Sequence, residues 1–453
     1  MSKTSIAPSA PSLTAQLAAL LARPVGGAAR ARARLHLADW LGCAVLGAAS
    51  PAGAAMAAAL AGASPGPCRA LGRGDFTLDA ALRFNAALGN VLEMDDVHRS
   101  SILHPGPVVV PTALALAQQR GARLGELLDA IVRGYEATIR IGRAVGLSHY
   151  RYWHNTASCG GFGAAAAAGS LYSLDRARMT DALGNAGSRS GGLWQMRHED
   201  VMTKQWHTAD AAASGAAAAL LASCGVTGPA FILEGPQGLF AAMSDDADPA
   251  LVTRPEVDWL IFDTSFKPWP ACRHAHPAID ALLGLMAQEE IAGPAVVRVT
   301  VDTYEDALRF CDRPAPATPA QARFSIQHAL AAVLRHGAPR LEHYAEAALD
   351  DPALAARRAT IGLRADPAIS ACFPQAYGAR VELLLDDGRT LRHEVRDTLG
   401  DPARPLAPAQ VHDKATTLMA AAGIASAGAQ RLLDIVFTLP DDADPAPFWA
   451  ALP

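Results

Sequence analysis

The sequence predicts a mainly α-helical protein with a smaller α+β domain set within it. Three observations lead there. From residue 13 to about 240 the chain runs as alanine-dense periodic segments punctuated by Gly or Pro, with only short β-branched runs. After about residue 255 strand-like alternation appears, and from Ala409 the helical pattern returns. At 453 residues the chain is also too long for one ordinary core. The expected division is a helical domain over 1–264, an α+β domain over 265–402, and C-terminal helices over 403–453 that pack back on the first.

The elements follow in order. Leu13–Ala22 reads as an amphipathic helix capped by Ser12 rather than as a targeting segment, with Pro8 and Pro11 and only Lys3 ahead of it. The apolar stretch from Leu35 to Ala63 has the length of a membrane span. It contains His36, Asp39 and Pro51, so a buried helical hairpin is expected. Pro111 is read as a first-turn residue of a helix through Gln119. Gly125–Val145 forms a helix whose buried side is Leu127, Leu128, Ile131, Tyr135, Ile139 and Ile141. Gly160–Leu171 is almost all small residues, which lets helices approach closely in the core. Ala209–Leu221 repeats the theme and ends near Gly225, a natural C′ residue. Val296–Tyr304 alternates as a half-buried strand. Val381–Val395 is a hairpin turning on Asp387-Gly388. Helices are expected between them at Ala322–Arg335 and Leu341–Ala348.

Composition excludes several functions. Charged residues make up 18% and hydrophobic residues 51%, with a formal net charge of −5. No basic stripe suggests nucleic acid or an anionic membrane surface. The seven scattered cysteines have no paired spacing, which points to reduced thiols in the cytoplasm. There is no CxxC or HExxH, and no clustered cysteines of the kind an iron–sulfur centre needs, so no metal is expected.

Four polar clusters interrupt the apolar background. Glu93-Met94-Asp95-Asp96 places three carboxylates in four residues, and His104-Pro105-Gly106-Pro107 follows as a rigid loop. Buried carboxylates must be paired, protonated or used, and a histidine on a rigid loop suits proton transfer. The bland alternative is an acidic helix end. His154-Asn155-Thr156 precedes the small-residue helix, where His154 is either catalytic or a cap. Thr203 reads as an N-cap, which puts Lys204 in a first turn. A cation is disfavoured there unless an anion is held nearby. His207 shares its face. Lys267-Pro268-Trp269-Pro270-Ala271-Cys272-Arg273-His274-Ala275-His276 sits where the texture changes, a common place for a small-molecule site. Its bland reading is a basic linker. Trp153, Trp194, Met196, Trp206 and Trp269 are candidate pocket walls or core.

In this order and spacing the clusters resemble the MmgE/PrpD family, with Val109-Val110-Pro111, Met202-Thr203-Lys204 and His276-Pro277-Ala278-Ile279-Asp280 among the carriers. The resemblance covers almost the whole chain. It implies a large all-α domain with an inserted α+β lid, a homodimer, and a cleft site that needs no metal or organic cofactor. It implies functional roles at Glu93, His104, His154, Lys204 and Lys267. Four positions depart from the pattern. Glu93 stands where an aspartate is usual, and Val97 where a threonine is common. Cys272 replaces a histidine of the family's decarboxylase, and Phe310 falls where a tyrosine is expected. These weigh against cis-aconitate decarboxylation. The expected activity is a hydro-lyase acting on a small polycarboxylic acid. In it Lys204, Lys267, Arg273, His207 and Cys272 meet the substrate, His104 and His154 transfer protons, and Glu93 or Asp96 orients a histidine. Epimerisation, decarboxylation, or a fold kept only as a binding scaffold are the alternatives.

Overall fold

The computed structural model describes residues 10–453. Lys3 and Pro8 therefore lie outside the described residues. The protein is mainly α with an α+β part. One hydrophobic core joins residues between Leu17 and Ile261 to residues between Ala415 and Leu452. A second core runs from Trp269 to Val395.

The first core is a stack of helices. Leu13–Leu21 opens it, with Ser12 Oγ accepting from the Ala15 amide. The Leu35–Ala63 stretch is a bent pair, Gly27–Ala48 and Pro51–Ala58, turned by 78° at Ser50. No single helix among the described residues is long and apolar enough to cross a membrane. Asn155–Leu171 packs between Leu124–Ala144 and Thr203–Ser223. Glycine makes this possible. A Cβ on Gly215 would lie 2.3 Å from the Gly161 carbonyl oxygen, and one on Gly163 would lie 2.9 Å from the Gly134 oxygen. Gly225 takes a positive φ of 92° just past its helix.

Three local expectations shift. The helix assigned to Pro111 begins earlier, at Gly106, and keeps Pro111 inside it. Gly106–Pro107 supplies the first turn, where a proline lacks nothing, whereas Pro111 forgoes one helical hydrogen bond. The Thr203–Ser223 helix is capped by Met202, not Thr203, with no side-chain hydrogen bond. The expected helix at Ala322 is split into Pro319–Arg323 and Ile326–His336, with Ser325 capping the second.

The second core is built on a four-stranded sheet in the order Ile361–Ala365, Val296–Thr303, Ala379–Leu385, Thr390–Val395. The first pair is parallel and the others antiparallel. The hairpin turn is wider than a two-residue turn. Leu385 pairs with Arg389, so Asp386, Asp387 and Gly388 form a three-residue loop, with Gly388 at φ 84°.

Two contacts bind the parts around one loop. Val97–His98 pairs with Thr264–Ser265, which fixes the acidic loop beside the strand that leads to Lys267. The Pro408–Ala421 helix packs on Gly27–Ala48. Its Lys414 donates to Asp39 at 2.6 Å and to the Met94 carbonyl.

Candidate active site

The loop between Leu88 and Gly106 carries the first cluster. It is held in an uncommon backbone state: Glu93 and Ile102 sit at φ 54° and 49°, in the left-handed region. Such strain persists only where surroundings over-determine it, and it gathers at functional sites. Here the fastenings are the Val97–His98 ladder, Asn155 Nδ2 donating to Ser101 O at 2.8 Å, and His104 N donating to Thr156 Oγ1 at 3.1 Å.

The three carboxylates of this run part company. Glu93 lines the cleft, and Asp95 is buried off its wall. Glu93 pairs with Lys204 and lies 3.5 Å from Lys267 Nζ, which is itself 3.3 Å from Asp95 Oδ1. Burial alone would raise both carboxyls, but the cations more than offset it and hold both below their ordinary values. Burial pulls the other way on Lys267, where Asp95 and Glu93 win and hold the ammonium up. Asp96 points into the helical core. It takes His36 Nδ1 at 2.7 Å, the Tyr135 hydroxyl at 2.5 Å and the Gly106 amide at 2.9 Å. His104 Nδ1 donates to the Asp96 backbone oxygen at 3.0 Å, and the carboxylate beside it is that of Asp95, with Oδ2 2.7 Å from the same nitrogen. Asp95 stands where the Asp96 or Glu93 carboxylate was expected.

An inner pocket collects the clusters. Glu93, His104, His154, Lys204, Cys272 and Arg273 all line it. His154 starts the Asn155–Leu171 helix without capping it. Its Nδ1 is 3.2 Å from His207 Nδ1, and its buried Nε2 has no partner. Burial, with His207, Lys204 and His104 nearby, pushes the imidazole well below its usual value. His207 lies behind His154 and lines a separate cavity with Gly192, Thr203 and Trp206. Lys267 is fully buried behind Glu93 and Asp95 rather than on the pocket wall. Arg273 is paired with Asp401, while its Nε and Nη1 are buried without partners. That leaves two donors of a cationic group unsatisfied beside the pocket.

Tyr150, Phe324 and Tyr377, which the sequence motifs do not single out, complete the inner pocket with His274, Phe310 and Trp194. His274 accepts or donates at Tyr304 OH, 2.7 Å away, and stacks on Tyr377. Only its place in the Arg273-His274 pair hinted at it. Of the tryptophans, Trp194 walls the pocket and Met196 the cavity outside it. Trp269 packs on His276, Trp153 stacks on His149, and Trp206 is exposed. Among the described residues no group of three or more His, Cys, Asp or Glu side chains is arranged to hold a metal ion.

Two family models cover most of the chain. The MmgE/PrpD N-terminal domain matches residues 13–252, and the MmgE/PrpD C-terminal domain matches residues 269–439. The chain belongs to the MmgE/PrpD family. Among curated relatives, a cis-aconitate decarboxylase of Aspergillus terreus is 29% identical over 274 residues, 57% of this chain and 56% of that protein. The chain thus spans little more than half the length of that relative. Cis-aconitate decarboxylase of Homo sapiens is 26% identical over 341 residues, covering 71% of this chain and 69% of the relative. A 2-methylcitrate dehydratase of Cupriavidus necator is 27% identical over 172 residues, 37% of this chain and 36% of the relative. These MmgE/PrpD relatives are enzymes of two reaction types.

Proposed function

We propose that this MmgE/PrpD protein is a lyase that removes a proton α to a carboxylate of a small polycarboxylic acid, and that the ordinary outcome is loss of a β-hydroxyl as water. The observation that carries this reading is the pair of imidazoles on one pocket. His154 Nε2 is buried and unpartnered, and His104 is backed by Asp95.

The two histidines divide the work. Burial keeps His154 neutral. With its Nδ1–H donated to His207, Nε2 is bare and takes the proton from the α-carbon. The Asp96 carbonyl takes the proton on His104 Nδ1, with the Asp95 carboxylate beside it, so His104 Nε2–H can be given to the leaving hydroxyl. The C–H pair becomes the C=C bond, the C–O bond breaks, and water departs. Arg273 and Lys204 on the wall supply positive charge to the carboxylate whose enolate-like form develops negative charge. Lys267 neutralises Glu93 and Asp95 from behind the wall, so that the Glu93 carboxylate can stand in a pocket for an anionic substrate.

Similarity to the decarboxylases favours a second reading, loss of CO₂ from cis-aconitate with the C–C electron pair left on carbon and protonated by His104 Nε2–H. The aromatic wall of Trp194, Tyr150, Phe310 and Phe324 would suit release of a neutral product. The deciding experiment offers 2-methylcitrate and cis-aconitate in deuterated water. Dehydration gives an unsaturated acid without CO₂, and decarboxylation gives CO₂ with deuterium in the product. Replacing His154 or His104 by Ala should lower kcat at least about 10²-fold. A loss of roughly tenfold or less at both sites would remove the proposal.

A further inference from the structure

Seven cysteines are present, and among the described residues five of them are buried: Cys43, Cys68, Cys159, Cys272 and Cys311. Three of these lack thiolate character. Burial pushes Cys68 up to about 11, Cys159 up to about 12 and Cys43 higher still. A thiol reacts as the thiolate, so such groups serve as small core side chains. The remaining two lie together at the inner pocket, and the proposed reaction gives neither of them a bond to make or break. Cys272 is on the pocket wall, and Cys311 is fully buried off it.

Two short elements bring the pair together. Cys272 precedes the turn Arg273–Ala275, and Cys311 is the last residue of the helix Glu305–Cys311, which packs on that turn. The Cys311 thiol donates to the Cys272 sulfur, and the His274 amide donates to the same sulfur. Both backbones are fastened. The Cys272 amide donates to the Arg323 oxygen at 2.8 Å. The helix is tied to the turn through Tyr304, whose hydroxyl lies 2.7 Å from His274 Nδ1. Just past the helix end, Gln327 Nε2 donates to Asp312 Oδ1 at 2.6 Å.

Burial opposes ionisation of Cys272, as it does for every buried thiol. The Cys311 S–H, the His274 amide and the Lys267 ammonium outweigh both burial and Glu93, and hold Cys272 below its ordinary value. Cys311 is pushed the other way, by burial and by the neighbouring sulfur. One sulfur of the pair thus has thiolate character and faces a pocket, while the other keeps its proton against it. That is the arrangement of a thiol that is oxidised beside one that resolves it. Access is narrow. The inner pocket has a volume of about 40 Å³ and adjoins an outer cavity of about 320 Å³, with which it shares Glu93, Trp194, Lys204, Phe310 and Phe324. Hydrogen peroxide is little larger than a water, whose share of the liquid is about 30 Å³, and it fits where a peptide disulfide such as oxidised glutathione does not.

We propose that Cys272 is a peroxide-reactive thiol and that Cys311 resolves it, so that hydrogen peroxide converts the pair to a disulfide at the pocket wall. In the first step the Cys272 thiolate attacks one peroxide oxygen. An S–O bond forms, the O–O bond breaks, and hydroxide leaves as water with the proton that Cys272 gave up. The sulfur is oxidised and the peroxide reduced. In the second step the Cys311 sulfur attacks the Cys272 sulfenic acid. The S–S bond forms, the S–O bond breaks, and the hydroxyl departs with the Cys311 proton as a second water. Two thiols and one peroxide give one disulfide and two waters. The new bond joins the segment of Arg273 and His274 to the helix of Phe310, all of them wall residues. Oxidation therefore acts on the pocket itself, and a dithiol reverses it.

Treatment of the reduced full chain with a small excess of hydrogen peroxide, quenched with catalase, tests it. Thiols counted in denaturant should number seven before treatment and two fewer after it. Digestion without reductant should place the link between the Cys272 and Cys311 peptides, and dithiothreitol should remove it. In Cys311→Ser no link can form, and dimedone should instead tag Cys272 as the sulfenic acid. In Cys272→Ser, Cys311 should stay reduced. Oxidised glutathione at equal concentration should link the wild-type pair at least about tenfold more slowly than peroxide. Oxidation of the exposed Cys224 and Cys372 with Cys272 and Cys311 still reduced overturns the proposal. So does oxidation of both pocket cysteines without a link between them. Equal rates with oxidised glutathione overturn the choice of oxidant. Should Cys311→Ser fail to unfold cooperatively, Cys311→Ala carries the same expectation. The readout is the state of the sulfurs, so an absence of turnover with every acid would defeat the proposed reaction and leave this result intact.

Discussion

The Asp95 carboxylate stands 2.7 Å from His104, whereas its neighbour Asp96 is used up by His36, Tyr135 and the Gly106 amide. Exchanging each for asparagine should therefore give different failures. Asp95→Asn removes the carboxylate beside His104 and should lower kcat about 10²-fold, and it should also cost stability because the buried Lys267 loses a counter-charge. Asp96→Asn leaves a buried hydroxyl and imidazole poorly matched and should cost about 1–3 kcal/mol of stability. A kcat for Asp95→Asn no lower than that for Asp96→Asn would contradict the division. The acidic run was visible in the sequence as a cluster that needed partners. Which carboxylate faced which way was not, because Glu93 adopts a positive φ and breaks the simple alternation of side chains. Cys311 was similarly illegible: a cysteine at the end of a short helix has no motif, and only its place against Cys272 marks it.

Among elements, the small-residue helices make the sharpest prediction. A Cβ on Gly215 meets the Gly161 oxygen at 2.3 Å, backbone that cannot yield cheaply, while a Cβ on Gly161 meets nothing nearer than 3.7 Å. Gly215→Ala should destabilise by about 1–3 kcal/mol, or more. Gly161→Ala should be neutral or stabilising by up to about 1 kcal/mol through helix propensity. Equal denaturant midpoints for the two variants would refute this packing. Long helices such as Leu124–Ala144 were legible from periodicity. The strand Ile361–Ala365 was not, since its short IGLRA run alternates weakly and its partner Val296–Thr303 is remote in sequence. The hairpin was legible but its loop length was not, since Asp387-Gly388 is compatible with either a two- or a three-residue loop.

At the scale of the molecule, buried histidines dominate the response to acid. Burial pushes His36 and His149 down to about 4, and His98 and His274 down to about 3. In the unfolded chain each titrates near about 6.5. Their folded values are depressed, so their contribution is fully present above about pH 6.5 and is lost as pH falls toward the folded values. Asp39 works the other way. Burial raises it to about 6 despite Lys414, so its contribution is lost as pH rises from about 4 to 6. Near pH 5 these five groups alone give the unfolded chain a net excess of roughly three protons, and the depressed His154 and His276 add to it, so stability should fall by at least about 4 kcal/mol per pH unit. Denaturant midpoints measured from pH 7 to 4 check this, and His274→Gln should reduce the slope by about one proton. A flat profile would show that these rings are not neutral in the fold. The convergence of the four polar clusters was legible only through their order and spacing, because distances across the chain leave no local periodicity.

Met94 and Lys414 stand 320 positions apart, yet the lysine clasps the turn that presents Glu93 and Asp95. During synthesis the acidic turn and both histidines emerge early, followed by Lys267 and Arg273. The clasp comes only after the intervening domain. A nascent polypeptide stalled at about residue 400 would thus own every residue proposed to meet substrate, and the ladder to Thr264–Ser265 that fastens the turn, but not this clasp. Competence should arrive as a step, when the Pro408–Ala421 segment docks, and not as a gradual gain along the growing chain.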